Sequence, residues 1–115
     1  MWNPPSESIL RKTPKLYDTE NVEVKEKLIY LHFFVGCNDW FVAEYDGEAV
    51  FFGFAYLNGW KDCAGWGYIS FNKLRVLKVR QSFGGKVGYL EVEFDEHWNA
   101  RKAKDVKLIS ECQGW

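Results

Sequence analysis

The chain has 115 residues, of which 47% are hydrophobic and 27% are charged, and its formal net charge is −1. This length suits one domain, and this balance excludes a chain that is disordered throughout. A net charge near zero creates no whole-chain field that selects nucleic acid or an anionic membrane. No apolar run approaches the ~18 residues that a membrane-spanning helix needs.

Aromatic residues make up 18% of the chain, with nine Phe, six Tyr and six Trp. Each large ring buries about 150–250 Å² inside a protein, which helps a small domain to build a sufficient core. We therefore interpret most of these rings as core residues rather than as a dedicated cage for a ligand.

Residues 1–13 carry Pro4-Pro5, two serines and mixed charge, and we expect them to form a flexible leader ahead of a single α+β domain at residues 14–115. The leader lacks the basic and apolar regions of a secretory signal. The three cysteines are an odd number and do not make a disulfide framework. These features predict a cytoplasmic protein with reduced thiols.

Residues 28–35 predict a strand with apolar residues on both faces, and residues 36–38 supply turn chemistry after it. Asp46-Gly47 then lies between two runs of aromatic and β-branched residues, which is the strongest short-range signal for a β-hairpin. A two-residue turn there predicts that Phe41 faces Phe52, Val42 faces Phe51 and Trp40 faces Gly53.

Residues 66–69 predict a further short strand, after which Ser70 is a suitable N-cap for a helical turn through Leu74. A second hairpin is predicted around Gly84-Gly85, because apolar and charged residues alternate along both of its strands. Its predicted facing pairs are Leu77 with Val92, Val79 with Leu90, Lys78 with Glu91 and Arg80 with Tyr89.

The tail, residues 101–111, carries Ala103, Val106 and Ile109 at the spacing of a short amphipathic helix that could cover one face of the sheet. Together, the elements predict an α+β fold, in which an antiparallel sheet of about five strands carries one or two short helices. The predicted core consists of Phe33, Trp40, Val42, Phe51, Phe52, Tyr68, Leu77, Val79, Leu90 and Val92.

Metal and catalytic sites find little support in the sequence. The soft metal ligands are His32, Cys37, Cys63, His97 and Cys112. None of the cysteines forms the close C-x₂₋₄-C pair of structural zinc sites, so we expect no metal and no cofactor. The chain also lacks a nucleophile elbow, a metalloprotease helix and a phosphate-binding glycine loop. We therefore assign no catalytic residues and expect no enzyme activity.

Charge is segregated along the chain. Residues 37–59 hold four acids and no base, whereas residues 61–86 hold six bases and one acid. The four acids have no counter-charge near them in the sequence and suit a basic partner, although a solubilising loop has the same appearance. The predicted partner-binding residues are Asp39, Glu44, Asp46 and Glu48.

Several short motifs carry a family resemblance, and they are Pro14-x-Leu16-Tyr17, His32-Phe33-Phe34, Asp39-Trp40, Ala43-Glu44-Tyr45-Asp46-Gly47, Phe52-Gly53-Phe54 and Gly67-Tyr68-Ile69-Ser70. In this order, over residues 14–98, the chain resembles a small bacterial family of unknown function found on plasmids, conjugative elements and phages. It departs from the family pattern at Ala64-Gly65, where an acid often precedes the following block, and at Lys73, where a glutamate is common.

The resemblance implies a small accessory protein of mobile DNA, and it transfers no catalytic residue. It further implies an anti-CRISPR protein that inhibits Cas9, binding Cas9 or its guide RNA complex through acidic residues that imitate phosphates. The alternative is an accessory factor of plasmid transfer or replication that binds nucleic acid through Lys61, Lys73, Arg75 and the tail lysines. The alternative predicts salt-dependent binding to bare DNA, and the inhibitor does not.

Overall fold

A five-stranded antiparallel sheet with the strand order β5-β4-β3-β2-β8 organises the chain, in a computed structural model that describes residues 2–115. Two smaller sheets flank it, one of β1 and β9 and one of β6 and β7. This confirms the predicted α+β class. The strands are β1 (Leu28–Ile29), β2 (Leu31–Val35), β3 (Asn38–Tyr45), β4 (Val50–Tyr56), β5 (Ala64–Ser70), β6 (Lys78–Phe83), β7 (Lys86–Glu91), β8 (Glu93–Phe94) and β9 (Arg101–Lys102).

Residues 2–115 contain three short α-helices, where one or two were predicted: α1 (Glu7–Arg11), α2 (Phe71–Val76) and α3 (Lys107–Gln113). The predicted N-cap of α2 is confirmed, because the Ser70 hydroxyl accepts a hydrogen bond of 3.1 Å from the Lys73 amide. The burial predicted for the tail is also confirmed at Ala103, Val106 and Ile109, but its α-helix begins only at Lys107, after β9 and a 3-10 turn at Ala103–Asp105.

The central sheet is covered on both faces, because successive side chains of β3 point in opposite directions and both sets are buried. The first core includes Phe33, Trp40, Val42, Phe51, Phe71, Leu74 and Val92. The second core, under the tail, includes Ile29, Phe41, Phe54, Ala103, Val106 and Ile109.

The N-terminal segment, expected to be a flexible leader at residues 1–13, packs against the domain from residue 2 onward. Leu10 of α1 is buried in the first core, and Trp2 packs against the same core. The Trp2 amide donates a hydrogen bond of 2.7 Å to the Glu91 carboxylate. In the structure, the packed domain therefore includes residues that precede residue 14.

The hairpin of β3 and β4 forms, but its predicted register is wrong. The observed pairs are Phe41 with Phe54, Val42 with Gly53 and Trp40 with Ala55, where Phe52, Phe51 and Gly53 were predicted. Residues 46–49 lie between the strands, so the connection is longer than the two-residue turn that Asp46-Gly47 predicts. The register also shifts between Val42 and Glu44, which adds one residue to β3.

The hairpin of β6 and β7 confirms its predicted register. Lys78 faces Glu91, Val79 faces Leu90 and Arg80 faces Tyr89. The further pair of Leu77 with Val92 does not form. The Leu77 amide closes α2 by donating to the Lys73 carbonyl, so β6 begins only at the next residue. Val92 separates β7 from β8 and is buried in the first core.

Half of the predicted core is buried and thereby confirmed, namely Phe33, Trp40, Val42, Phe51 and Val92. Phe52, Val79 and Leu90 are half-buried. The prediction is wrong for Leu77 and Tyr68, which are 37% and 61% exposed. Tyr68 lies on the outermost strand of the sheet, and Leu77 lies in the connection between α2 and β6. None of the helices within residues 2–115 is both long and apolar enough to cross a membrane.

Candidate functional site

Glu44, a predicted partner-binding residue, is buried, and only 4% of it is exposed. Its carboxylate accepts hydrogen bonds from the Tyr17 amide at 2.9 Å and from the amide and hydroxyl of Thr19. The Lys27 ammonium lies 3.8 Å away and is itself buried. The bulge in β3 turns Glu44 towards this segment. Glu44 therefore holds residues 17–19 against the sheet, and its prediction as a contact residue is corrected.

Asp46 is exposed, but its carboxylate is engaged within its own loop. Its Oδ1 atom accepts hydrogen bonds from the amides of Glu48, Ala49 and Val50 at 2.8, 2.8 and 3.0 Å. These bonds hold the pKa of Asp46 below its ordinary value, and the bond from the Val50 amide is the largest cause of the lowering. The nearby Glu48 is fully exposed, and no hydrogen bond from residues 2–115 reaches its carboxylate.

Asp39 has a counter-group that the sequence did not reveal. The imidazole of His32 lies between two carboxylates, with Nε2 at 2.7 Å from Asp39 and Nδ1 at 3.1 Å from Asp95. The ring stacks on Phe41, with centroids 4.6 Å apart, and contacts Trp98. The cluster joins β2, β3 and the segment after β8, and its role is structural.

The five soft metal ligands are spread over the molecule rather than gathered. Cys37 and Cys63 are exposed free thiols, and Cys112 is a half-buried one. Burial raises the pKa of the Cys112 thiol, which makes it a poorer nucleophile. His97 is exposed after β8, far along the chain from the cysteine-bearing loops. Within residues 2–115, no three His, Cys, Asp or Glu side chains are placed to hold a metal ion.

The tail lysines, predicted as nucleic-acid contacts, form ion pairs. Lys102 and Lys104 each lie 2.9 Å from the Glu26 carboxylate, and they lower its pKa to about 2, with the hydrogen bond from Lys104 as the largest cause. The Arg75 guanidinium lies over the Phe71 ring, 5.4 Å from its centroid. The segment 101–113 is therefore not a row of free cations.

The hairpin of β6 and β7 is largely exposed. Every residue from Arg80 to Val87 is exposed, on both faces of the ribbon. Only its base is anchored, because Val79 and Leu90 pack against the first core. In the described chain, neither strand pairs with the central sheet. The hairpin presents Lys78, Arg80, Phe83, Lys86, Val87 and Tyr89 to solvent.

A groove of about 510 Å³ adjoins the base of this hairpin. Its floor is the first-core face of the sheet, and α2 and Val79 form one wall. Its lining is mostly apolar, and polar groups come from Asn38, Asn58, Tyr68, Ser70 and Lys73. The apolar lining residues are Trp40, Ala55, Leu57, Ile69, Leu74, Leu77 and Val79. A concave apolar surface with a few polar groups is the usual form of a binding site.

Sequence reasoning identified the second hairpin but did not identify it as a contact surface. The Gly84-Gly85 turn and the alternation of charged and apolar residues predicted a half-exposed antiparallel pair with one apolar face, not a ribbon exposed on both faces. The hairpin is exposed on both faces because neither of its strands pairs with the central sheet. No local pattern in the sequence predicts that separation. Searches of protein-family models, curated proteins and solved structures find no match to this chain.

Proposed function

We propose that this protein is a binding protein without catalytic chemistry, and that its contact surface is the β6–β7 hairpin together with the groove at its base. The observation that supports this proposal is the exposure of every residue from Arg80 to Val87 in a regular two-stranded ribbon. An isolated two-stranded hairpin is marginally stable in water, so a projecting one gains most from a partner that covers it.

The side chains of the hairpin suit a macromolecular contact. Tyr and Arg are the residue types that most often dominate the binding energy of interfaces, and Arg80 faces Tyr89 across the ribbon. A strand of six residues spans about 20 Å, which is long enough to enter a cleft. Phe83 and Val87 place apolar surface near the Gly84-Gly85 tip.

We propose that the partner is a bacterial CRISPR nuclease, with Cas9 bound to its guide RNA as the first candidate, and that binding inhibits the nuclease. The family resemblance supports this partner, and we propose with it that the protein acts in the bacterial cytoplasm as a product of a phage or plasmid. The cations Lys78, Arg80 and Lys86 suit the phosphates of an RNA held by the nuclease. We propose this surface in place of the acidic one, because the carboxylates of Glu44, Asp46 and Asp39 are engaged within the fold. Of the four acids, only Glu48 is exposed with no hydrogen bond to its carboxylate from residues 2–115.

The experiment measures binding to the Cas9–guide RNA complex and protection of target DNA from cleavage. Tyr89→Ala is expected to weaken binding about 30-fold, which corresponds to about 2 kcal/mol for a central aromatic contact. Trp60→Ala is the matched control, since Trp60 and Tyr89 are 65% and 64% exposed on different parts of the molecule. Equal effects of the two variants would exclude the hairpin, and a parent protein that neither binds nor protects would refute the inhibitor proposal.

A second candidate function is direct binding of nucleic acid as a plasmid accessory factor. The observation in its favour is that three cations share the exposed ribbon with Tyr89, as in β-ribbon readers of nucleic acid. Three phosphate contacts predict a slope of about −2.7 in log K against log salt, or about a 40-fold loss between 50 and 200 mM salt. Titration of duplex DNA and single-stranded RNA at these two salt concentrations tests this candidate, and binding without Cas9 would favour it.

A further inference from the structure

The outer edge of the central sheet is an unprotected strand. β5 is the last strand of the sheet, and its sequence Ala64-Gly65-Trp66-Gly67-Tyr68-Ile69-Ser70 contains no charged residue and no proline. Its register with β4 is unbroken from Ala64 to Ser70, so no bulge twists the edge away. The opposite edge is different, because β8 has only two residues. Short strands, charges, prolines and bulges are the usual protection of sheet edges, and β5 has none of them.

The backbone of β5 presents hydrogen-bonding groups outward at alternate residues. The Phe71 amide donates to the Ala49 carbonyl, and the Leu57 amide donates to the Cys63 carbonyl, in the same register as the ladder. In an antiparallel pair, hydrogen-bonded positions alternate, so the odd-numbered residues of β5 face β4. The amides and carbonyls of Trp66 and Tyr68 therefore point outward. No group within residues 2–115 hydrogen-bonds with them.

We propose that β5 pairs antiparallel with β5 of a second copy of this chain, centred on Gly67, so that two five-stranded sheets join into one continuous sheet of ten strands. In this register, the outward groups of Trp66 meet those of Tyr68 of the second copy, and the two-fold symmetry repeats the contact. The two central pairs alone supply four backbone hydrogen bonds. This register is permitted because the amides and carbonyls of Trp66 and Tyr68 are the ones that point outward from β5.

The side chains of β5 are self-complementary in the same register. Trp66 faces Tyr68 of the second copy on one side of the sheet, which is a favourable aromatic cross-strand pair. On the other side, Gly65 faces Ile69 of the second copy, so a large side chain meets an open position. A Cβ atom built at Gly65 or at Gly67 has no atom within 4 Å, which shows that this space is free.

Charge favours a second copy over a different partner strand. Because β5 carries no charge, two copies of it pair without electrostatic repulsion. The same lack of charge means that β5 has no charged side chain with which to select a different protein. The Tyr68 hydroxyl contacts the Tyr17 hydroxyl at 2.8 Å, and this holds the ring over the face of the sheet rather than across its edge. The inference does not depend on the proposed function, because it is argued from the backbone and side chains of β5 alone, although Tyr68, Ile69 and Ser70 of β5 also line the groove.

The oligomeric state measured by sedimentation equilibrium tests the proposal. The parent protein is expected to form a species of twice the 13.5 kDa monomer mass. Tyr68→Lys places a charge on the edge and is expected to raise the dimer dissociation constant at least about tenfold. Tyr89→Lys is the matched control at 64% exposure and is expected to leave the dimer unchanged. A parent that stays monomeric up to about 1 mM, the weak end of specific binding, would overturn the proposal.

Cross-linking tests the register itself. Residue 67 would lie opposite residue 67 of the second copy, where Cα atoms of a non-hydrogen-bonded pair are about 4.5 Å apart and a disulfide can form. Under mild oxidation, Gly67→Cys is expected to give covalent dimer at least about tenfold faster than Gly65→Cys, whose thiols would be about 13 Å apart. The parent, with Cys37, Cys63 and Cys112, gives the background rate. Equal rates for the two variants would overturn the proposed register.

Discussion

The β3–β4 hairpin and the β6–β7 hairpin are built in opposite ways. The first is buried on both faces, has a four-residue connection at 46–49 and shifts its register after Val42. The second is exposed, keeps one register over its whole length and closes with Gly84-Gly85, both at positive φ. Two central residues with positive φ are typical of the tight type I′ turn.

The difference shows what holds a register in each environment. The exposed hairpin has few tertiary contacts, so its turn and its cross-strand pairs set the alignment. The buried hairpin has apolar residues on both faces. A register slip of one residue therefore moves apolar side chains from one buried face to the other, and the alternation of apolar and polar residues does not select one register. Its alignment is set by contacts from outside the hairpin, among them those of Glu44 with residues 17–19. Four predictions, each tested by substitution, sharpen this comparison.

The largest effect is expected for glycine in the buried hairpin. A Cβ atom at Gly53 would overlap the carbonyl oxygen of Phe41 and lie 2.9 Å from the carbonyl carbon of the same residue. Because both are backbone atoms of the neighbouring strand, neither can move aside. Gly53→Ala is expected to lower the free energy of unfolding by at least about 4 kcal/mol, measured by urea denaturation. The matched variant is Gly88→Ala, where the Cβ would meet only the Phe83 ring at 2.9 Å. That ring is free to turn, so we expect a loss below about 1 kcal/mol. Equal losses would refute the contrast between the two hairpins.

The next effect is expected at the buried carboxylate. Glu44→Ala would leave the Lys27 ammonium buried without its counter-charge, and it would also free the amides of Tyr17 and Thr19. We expect the free energy of unfolding to fall by about 3–5 kcal/mol, measured by urea denaturation. Glu48→Ala is the exposed control, because Glu48 lies three residues beyond the end of β3. This substitution is expected to change the free energy of unfolding by less than about 0.5 kcal/mol. A small effect of Glu44→Ala would restore it as a candidate surface residue.

A smaller and pH-dependent effect is expected at the loop of the buried hairpin. Asp46→Ala removes the acceptor of three amides and is expected to lower the free energy of unfolding by about 1 kcal/mol, as the loss of a helix N-cap does. Because the folded pKa of Asp46 lies below its ordinary value of 3.8, this stabilisation is complete above pH 3.8. It is lost as the pH falls through the folded pKa. Thermal unfolding of both proteins from neutral to acidic pH checks this, and a pH-independent difference would contradict it.

The smallest effect is expected at the turn of the exposed hairpin. Gly84 has φ of +54° and no atom within 4 Å of a Cβ position, and asparagine tolerates this backbone conformation. Gly84→Asn is expected to change the free energy of unfolding by less than about 0.5 kcal/mol. Gly84→Val, with a branched side chain at positive φ, is expected to lower it by about 1–2 kcal/mol. If valine is tolerated as well as asparagine, the turn does not set the register of this hairpin.

Local patterns in the sequence predicted the elements whose causes are local. The Ser70 cap, the buried spacing of Ala103, Val106 and Ile109, and the alignment of β6 with β7 were all correct. The partner-binding residues were a different case. Their apparent lack of counter-charge was judged from neighbouring acids and bases in the sequence, whereas Glu44 and Asp39 meet groups from other segments of the fold. Glu44 meets Lys27, and Asp39 meets His32.

The sequence by itself determined the α+β class, the two hairpins and the burial of the tail, because helix caps, turns and periodicity act between residues a few positions apart. Only the tertiary structure decided which strand became the open edge, which hairpin projected and which carboxylates were buried. Each of these depends on what a segment packs against. A charged residue such as Glu44 is buried only where hydrogen-bond donors and a cation from other segments contact it. Such long-range contacts produce no periodic pattern in the sequence, so the sequence alone does not predict them.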